Sequence, residues 1–115
     1  MNFTKLSEII TELGLENINK KPLNNDMTIT HGYVGDLLSQ VLASVKSDSI
    51  WMTIQSHLNI IGVAVMAGIP VVVICEGHAV QDEVIDKADE ERIALFKSQD
   101  NSFQLSGRLY ERGIR

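Results

Sequence analysis

The residues that could bind a ligand or do chemistry are concentrated in four short polar segments. All three histidines of the chain fall within these segments. Each segment accompanies a predicted β-strand, and open parallel sheets bind ligands outside the carboxyl ends of their strands. The segments are His31–Asp36, Gln55–His57, Glu76–His78 and Ser98–Ser102. The predicted ligand-binding residues are His31, Gly32, Gly35, Asp36, Gln55, Ser56, His57, Glu76, Gly77, His78 and Ser98.

Several of these residues have an equally simple structural explanation. Gly32 and Gly35 permit a tight strand-to-helix turn, and a Gly-x-x-Gly pattern is too common to identify a phosphate site. Asp36 precedes a predicted helix, where aspartate is more often a cap or a dipole partner than a general base. Ser56 and Asn101 are also candidate caps. The sequence leaves both roles open at these positions.

The compact motifs of common catalytic and metal sites are missing from the sequence. It has no His-x-x-x-His or Cys-x-x-Cys pair, no Walker-type loop, no nucleophile elbow and no dinucleotide-binding glycine pattern. Cys75 ends an apolar stretch, which favours a small buried side chain over a nucleophile. We predict no catalytic residues, no metal and no cofactor. The alternative is an enzyme in which His57 or His31 is the acid or base and Asp36 is its partner.

Length, composition and charge narrow the class of protein. The chain has 115 residues, 44% hydrophobic and 22% charged, as is typical of one globular domain. Its formal net charge of -5 disfavours nucleic acid and anionic membranes as partners. The single cysteine and the N-terminal pattern predict a cytoplasmic protein without a signal peptide. Gly68 and Pro70 interrupt the most apolar segment, which predicts that it does not span a membrane.

Helices and strands are predicted to alternate along the chain and so to position the polar segments. Apolar spacing predicts helices over 6–13, 37–45, 58–67, 81–91 and 103–110. The first helix has Thr4 as its predicted N-cap and Gly14 as its end. Strands are predicted over 16–18, 27–30, 50–54, 71–74 and 93–96, of which 71–74 is typical of a central strand. This alternation predicts an α/β domain with a mainly parallel sheet and helices on its faces.

The predicted helix 58–67 has scarcely any polar face. A chain of this length has few elements with which to cover such a helix, and we therefore predict a homodimer. The alternative is that the helix crosses over between strands 50–54 and 71–74 and is buried within one subunit.

Four motifs together resemble the DRTGG domain family. They are Gly35-Asp36-Leu37-Leu38, Thr53-Ile54-Gln55-Ser56-His57-Leu58-Asn59, Gly68-Ile69-Pro70-Val71-Val72-Val73 and Glu76-Gly77. The resemblance runs from about Met27 to Gly113, and the segment 107–111 is similar to stand-alone members associated with hydrogenase gene neighbourhoods. The Asp-Arg-Thr-Gly-Gly string itself is missing, and the segment His31–Asp36 is its nearest equivalent.

The resemblance implies a fold like the N-terminal domains of HPr kinase/phosphorylase and of Mur ligases. It also implies a regulatory or oligomerisation module, since related domains accompany CBS pairs and phosphotransacetylase. The leading hypothesis is a non-catalytic regulatory domain, a single DRTGG-like domain over 1–115, that binds a small metabolite or nucleotide at the carboxyl edge of the strands. The alternative is a dimerisation or scaffold module with a redox-enzyme partner in a hydrogenase-associated system.

Overall fold

A computed structural model describes residues 4–115 and shows a five-stranded sheet with helices on both faces. The strands are β2 (Glu16–Asn17), β4 (His31–Val34), β5 (Ser49–Thr53), β6 (Val71–Ile74) and β7 (Ala94–Lys97). Their order across the sheet is β2-β7-β6-β5-β4, in which β4 to β7 are parallel and β2 is antiparallel. The predicted α/β class with a mainly parallel sheet is confirmed. Two further short strands, β1 (Thr4–Lys5) and β3 (Thr28–Ile29), form a separate antiparallel pair.

Five helices of the described chain cover the two faces of this sheet. They are α1 (Leu6–Leu13), α2 (Leu38–Ser44), α3 (Asn59–Ala67), α4 (Asp82–Glu90) and α5 (Ser102–Glu111). Helices α1 and α5 pack on one face, whereas α2, α3 and α4 pack on the other. Strand β6 is buried from both sides, since Val73 belongs to the first core and Val72 to the second. None of the helices in residues 4–115 has the length and apolar character needed to cross a membrane.

The edge strand β4 lies where the sequence predicts a loop. Residues His31–Val34 pair in parallel with β5, and His31 lies opposite Ser49. The strand predicted just before it is reduced to β3, which pairs with β1 outside the main sheet. The prediction is wrong because glycine is typical of a turn, whereas Gly32 pairs with Ile50 inside the strand. A Cβ atom on Gly32 would lie 3.6 Å from the side chain of Ile114.

The first helix begins without a side-chain cap. Thr4, the predicted N-cap, lies in β1, and Lys5 occupies the N-cap position with no side-chain hydrogen bond. The prediction for Thr4 is wrong because the chain before β3 supplies backbone acceptors: Leu6 N–H donates to the Met27 carbonyl at 2.9 Å. The predicted end of the helix is confirmed, since Gly14 is the left-handed C-cap with a φ of 63°.

Helix α3 crosses over between β5 and β6 and buries one face against the sheet. Ile60, Ile61 and Ala64 are fully buried in the core on this side. Val65 and Met66 are exposed, the latter to 75%. The helix is therefore a crossover helix that also leaves apolar side chains uncovered in the single chain.

The other edge of the sheet is closed by β2 and by the side chain of Asn19. Ile18 N–H donates to the Leu95 carbonyl at 3.0 Å and so extends the pairing of β2 with β7. Asn19 Oδ1 then accepts from Leu95 N–H at 2.7 Å, and its Nδ2 donates to the Ile93 carbonyl at 2.9 Å. The side-chain amide thus takes the place of a peptide group of a further strand residue. The short strand predicted over 16–18 is confirmed.

Candidate functional site

The carboxyl edge of the parallel strands carries most of the predicted site residues. Asp36 follows β4, Gln55–His57 follow β5, Glu76–His78 follow β6 and Ser98 follows β7. Because β4 to β7 are parallel, these four places lie along one edge of the sheet. Their common location at this edge is confirmed, and their role in binding a ligand stays a prediction.

His31 and Gly32 lie at the opposite end of the sheet. They open β4 and pair with the first residues of β5. The prediction that grouped His31 with His57 and His78 is therefore wrong, because the segment read as a loop is a strand. Strand β4 also separates His31, at its start, from Asp36, which follows its end and was the acid–base partner considered for His31. Among residues 4–115, no group of three His, Cys, Asp or Glu side chains is arranged to hold a metal ion.

Asp36 joins the ends of β4 and β5 through hydrogen bonds. Its carboxylate Oδ1 accepts from the Thr53 hydroxyl at 2.8 Å and from Ile54 N–H at 2.9 Å. Gln55 Nε2 donates to the Asp36 carbonyl at 2.9 Å. Leu37, rather than Asp36, is the N-cap of α2 and makes no side-chain cap bond. Asp36 therefore links two loops and is not a helix cap, and both side-chain bonds go to the same carboxylate oxygen.

Cys75 directly follows β6 at this edge and is an unreactive, buried thiol. It is fully buried, and its backbone N–H donates to the Thr53 carbonyl at 2.9 Å. Burial raises the pKa of the Cys75 thiol to about 11, and the nearby carboxylate of Asp36 raises it further. A backbone hydrogen bond from Thr53 lowers this pKa, and the charge of Glu76 raises it by a smaller amount. At neutral pH the group is a thiol, so it is not an activated nucleophile. The interpretation of Cys75 as a small buried side chain is confirmed.

The loops after β6 and β7 form one hydrogen-bonded unit. Glu76 N–H donates to the Asp100 carbonyl at 3.0 Å, and Gly77 N–H donates to the Ser98 carbonyl at 2.8 Å. Glu76 and Gly77 have positive φ angles of 61° and 67°. A Cβ atom on Gly77 would lie 2.6 Å from Gln99 Oε1. The two amides are therefore already bonded within the protein, and glycine suits position 77 because of the left-handed φ that the turn imposes there.

Gly35 has a packing role at the start of the α2 connection. Its carbonyl accepts a hydrogen bond from Trp51 Nε1 at 2.9 Å, and Trp51 is fully buried. A Cβ atom on Gly35 would lie 3.0 Å from the Tyr33 ring and 3.3 Å from Val41. These contacts account for the glycine without a bound anion.

Two concavities lie beside α5, and one of them reaches Asp100 at the carboxyl edge. One is a pocket between β4 and α5, whose lining includes Val34, Ser106, Tyr110 and Arg115. The other is a shallow groove on the outer face of α5 next to Phe103, which is 85% exposed. Sequence reasoning missed these residues because no motif marks them. The pocket exists only because the C-terminal segment returns to β4.

The fold defines the class of this protein as a small α/β domain with a mainly parallel sheet. No family model and no curated protein matches the chain. Among solved structures, it is similar to the crystal structure of the CBS and DRTGG domains of the regulatory region of Clostridium perfringens pyrophosphatase, complexed with the activator diadenosine tetraphosphate. The TM-score is 0.75 at 18% identity, over 96% of this chain and 47% of that one. This chain thus spans about half the length of that structure, and the likeness establishes the fold.

Proposed function

We propose that this chain is a single DRTGG-type domain, 1–115, with a regulatory and non-catalytic role, and that it binds a small metabolite or nucleotide at the carboxyl edge of its sheet. The observation that carries the proposal is the polar edge itself, where Gln55 is hydrogen-bonded to Asp36, the exposed His57 lies on the same loop as Gln55, and the exposed His78 lies on the loop after β6. The similarity of fold to a regulatory region crystallised with a dinucleotide activator supports it.

The arrangement of the edge favours binding over catalysis. The Cys75 thiol is buried with a raised pKa. Asp36 is bonded to the Thr53 hydroxyl, so this carboxylate organises a loop. His57 and His78 follow different strands. A catalytic nucleophile needs an adjacent base held within hydrogen-bond reach, and these groups form no such pair.

The charges at the edge favour the nucleoside part of a ligand. Asp36, Glu76 and Asp100 are acidic, and the Arg108 guanidinium lies 3.6 Å from the Asp100 carboxylate. Carboxylates accept hydrogen bonds from hydroxyl and amino groups and repel phosphate. A sugar or base bearing such donors therefore suits this edge, and the phosphates of a nucleotide would point away from it.

Thermal unfolding with adenosine, ATP and diadenosine tetraphosphate tests the proposal. A ligand that binds only the folded state raises its stability by about 2.7 kcal/mol at one hundred times Kd. We expect a rise in Tm of several degrees in the wild type and in His31→Ala, which alters the opposite edge. We expect a smaller rise in His57→Ala and His78→Ala, whose side chains are exposed. A flat response to nucleosides, nucleotides and phosphorylated metabolites would contradict ligand binding at this edge.

Exposed apolar side chains on α2 and α3 favour the second candidate, a homodimer or scaffold. Leu42 on α2 is 40% exposed and Met66 on α3 is 75% exposed. The two helices pack against each other and so present these side chains on one side of the sheet. In a dimer this surface would meet its symmetry copy, and in the scaffold version it would meet a redox-enzyme partner.

Sedimentation equilibrium tests the homodimer. A mass near twice 12.8 kDa that falls in Met66→Lys, but not in Phe103→Lys on the other face, would place the interface on α3. A mass of 12.8 kDa that does not rise with concentration would rule out the dimer. A monomer would leave the scaffold version to be tested against a redox-enzyme partner.

A further inference from the structure

We infer that the pocket between β4 and α5 binds a small carboxylate that carries one six-membered ring, aromatic or alicyclic. The pocket lies on the α5 face of the sheet beside the edge strand. Its lining residues do not include Asp36, Gln55, His57 or His78. The inference therefore does not depend on the ligand proposed for the carboxyl edge.

The size and floor of the pocket suit a single ring. Its volume is about 140 Å³. An apolar protein cavity of about 150 Å³ is known to hold benzene, so one six-membered ring matches this space. The inner wall is formed by Met52, Leu109 and Ile114, each at most 2% exposed. Gly32 adds no side chain to this wall, which leaves room for the ring.

Arg115, one of the lining residues, supplies the positive charge. The Arg115 guanidinium carbon lies 3.9 Å from the centroid of the Tyr110 ring, and Nη2 donates to the Tyr110 carbonyl at 3.3 Å. The Arg115 backbone N–H donates to the Thr30 carbonyl at 3.3 Å. These contacts hold the side chain against Tyr110, which lines the same pocket, and so keep a cation beside its contents.

Arg115 differs in its charge partners from the other arginines on α5 and the segment that follows. Arg108 pairs with Asp100, and Arg112 pairs with Glu8 at 3.0 Å. Within residues 4–115, no acidic side chain lies within 4.0 Å of the Arg115 guanidinium. An arginine fork matches a carboxylate with two parallel hydrogen bonds. The unpaired guanidinium therefore selects an acid over a neutral ring compound.

The edge strand contributes further polar groups at the rim. Gly35 N–H donates to the Met52 carbonyl at 3.3 Å, so odd-numbered residues at this end of β4 turn their peptide groups towards β5. Peptide groups alternate in direction along a strand. Those of Gly32 and Val34 therefore point away from the sheet, beside the pocket that both residues line. Their N–H groups and the Ser106 hydroxyl can donate to a carboxylate at the mouth.

Titration of the ¹⁵N-labelled chain with benzoate, followed by NMR, tests the inference. We expect saturable shifts at Gly32, Val34, Ser106 and Tyr110, with little change at His57. Cyclohexanecarboxylate tests the alicyclic ring in the same way. Arg115→Gln is expected to weaken benzoate binding about tenfold or more, because a hydrogen bond to a charged group is lost. The same variant should bind benzamide as the wild type does, since the neutral amide does not use the charge.

Two variants control for a merely structural effect. Gly32→Val fills the pocket, and its Cβ would make ordinary contacts of 3.6 Å and 3.8 Å, so binding should be lost while the fold persists. Gly107→Ala, on the open side of α5 with no atom within 4 Å of the added Cβ, should bind as the wild type does. If Gly32→Val does not fold, Ser106→Leu blocks the pocket from α5. Shifts that never saturate, or unchanged benzoate binding in Arg115→Gln, would overturn the inference even if nucleotides bind at the other edge.

Discussion

Replacing Gly77 with alanine tests how the loop after β6 is built. The φ angle of Gly77 is 67°, in the left-handed region, where a Cβ atom costs roughly 1–2 kcal/mol. The added Cβ would also lie 2.6 Å from Gln99 Oε1. The Gln99 side chain is exposed and can swing away, so this contact adds little. We therefore expect Gly77→Ala to lower the free energy of unfolding by about 1–2 kcal/mol.

Urea unfolding at 25 °C measures this change. For a slope of about 1.5 kcal/mol per molar urea, the midpoint should fall by about 1 M. Gly107→Ala is the matched control, since its Cβ meets no atom within 4 Å. It should instead stabilise α5 by about 0.5–1 kcal/mol.

The double variant Gly77→Ala/Gln99→Ala separates the backbone cost from the contact with Gln99. We expect most of the loss to persist in this variant. A midpoint for Gly77→Ala equal to that of the wild type would refute the reasoning. Complete recovery on removal of the Gln99 side chain would show that the contact, and not φ, sets the cost.

Three further predictions concern the residues around Asp36. Asp36→Ala should destabilise the fold by about 1.5–3 kcal/mol in urea unfolding, because Thr53 and Ile54 lose a charged acceptor, whereas Asp36→Asn should lose less. Trp51→Phe should cost about 1–3 kcal/mol by the same measurement, since the hydrogen bond to Gly35 is lost with packing volume, and no change would contradict the burial of Trp51. The raised pKa of Cys75, about 11 against an ordinary 9.0, means that the folded state holds this proton more tightly. The stability that this proton contributes to the folded state is complete below pH 9 and is lost as the pH rises from 9 through 11. At pH 10 the free energy of unfolding should have fallen by about 1.4 kcal/mol from this cause. In Cys75→Ala the alkaline fall in stability should be smaller by this amount, and an equal fall in both proteins would rule out the titration of Cys75 as its cause.

The parts of the fold predicted correctly are those whose sequence pattern has one physical cause. The run 71–74 is β-branched throughout, and only a strand buried on both faces accounts for it. Gly14 and Gly68 end helices because both adopt positive φ angles. Strand β4 was beyond such reasoning, since Gly32 is typical of a turn and the strand is defined by its pairing with Ile50, 18 positions further along the chain.

The candidate site was predictable in position and less so in detail. The polar segments follow strands, and parallel pairing alone brings them to one edge. The role of Asp36 was not predictable, because the carboxylate accepts its hydrogen bond from the hydroxyl of Thr53, a residue of the neighbouring strand. The pocket beside α5 was not predictable either, since Arg115 reaches it by pairing with Thr30. Local spacing carries no information on contacts of this range.

The two edges of the sheet differ in their resistance to aggregation. On one side, the edge strand β2 has only two residues, and together with the Asn19 side chain it occupies the hydrogen-bonding groups of β7. On the other, β4 pairs only with β5 among the described residues, and its short outer edge contains no lysine or proline. Unpaired strand edges template association with other chains, and such residues are the usual protection. Intermolecular strand pairing at high concentration should therefore begin at β4, and a lysine at Val34 would be the simplest substitution to suppress it.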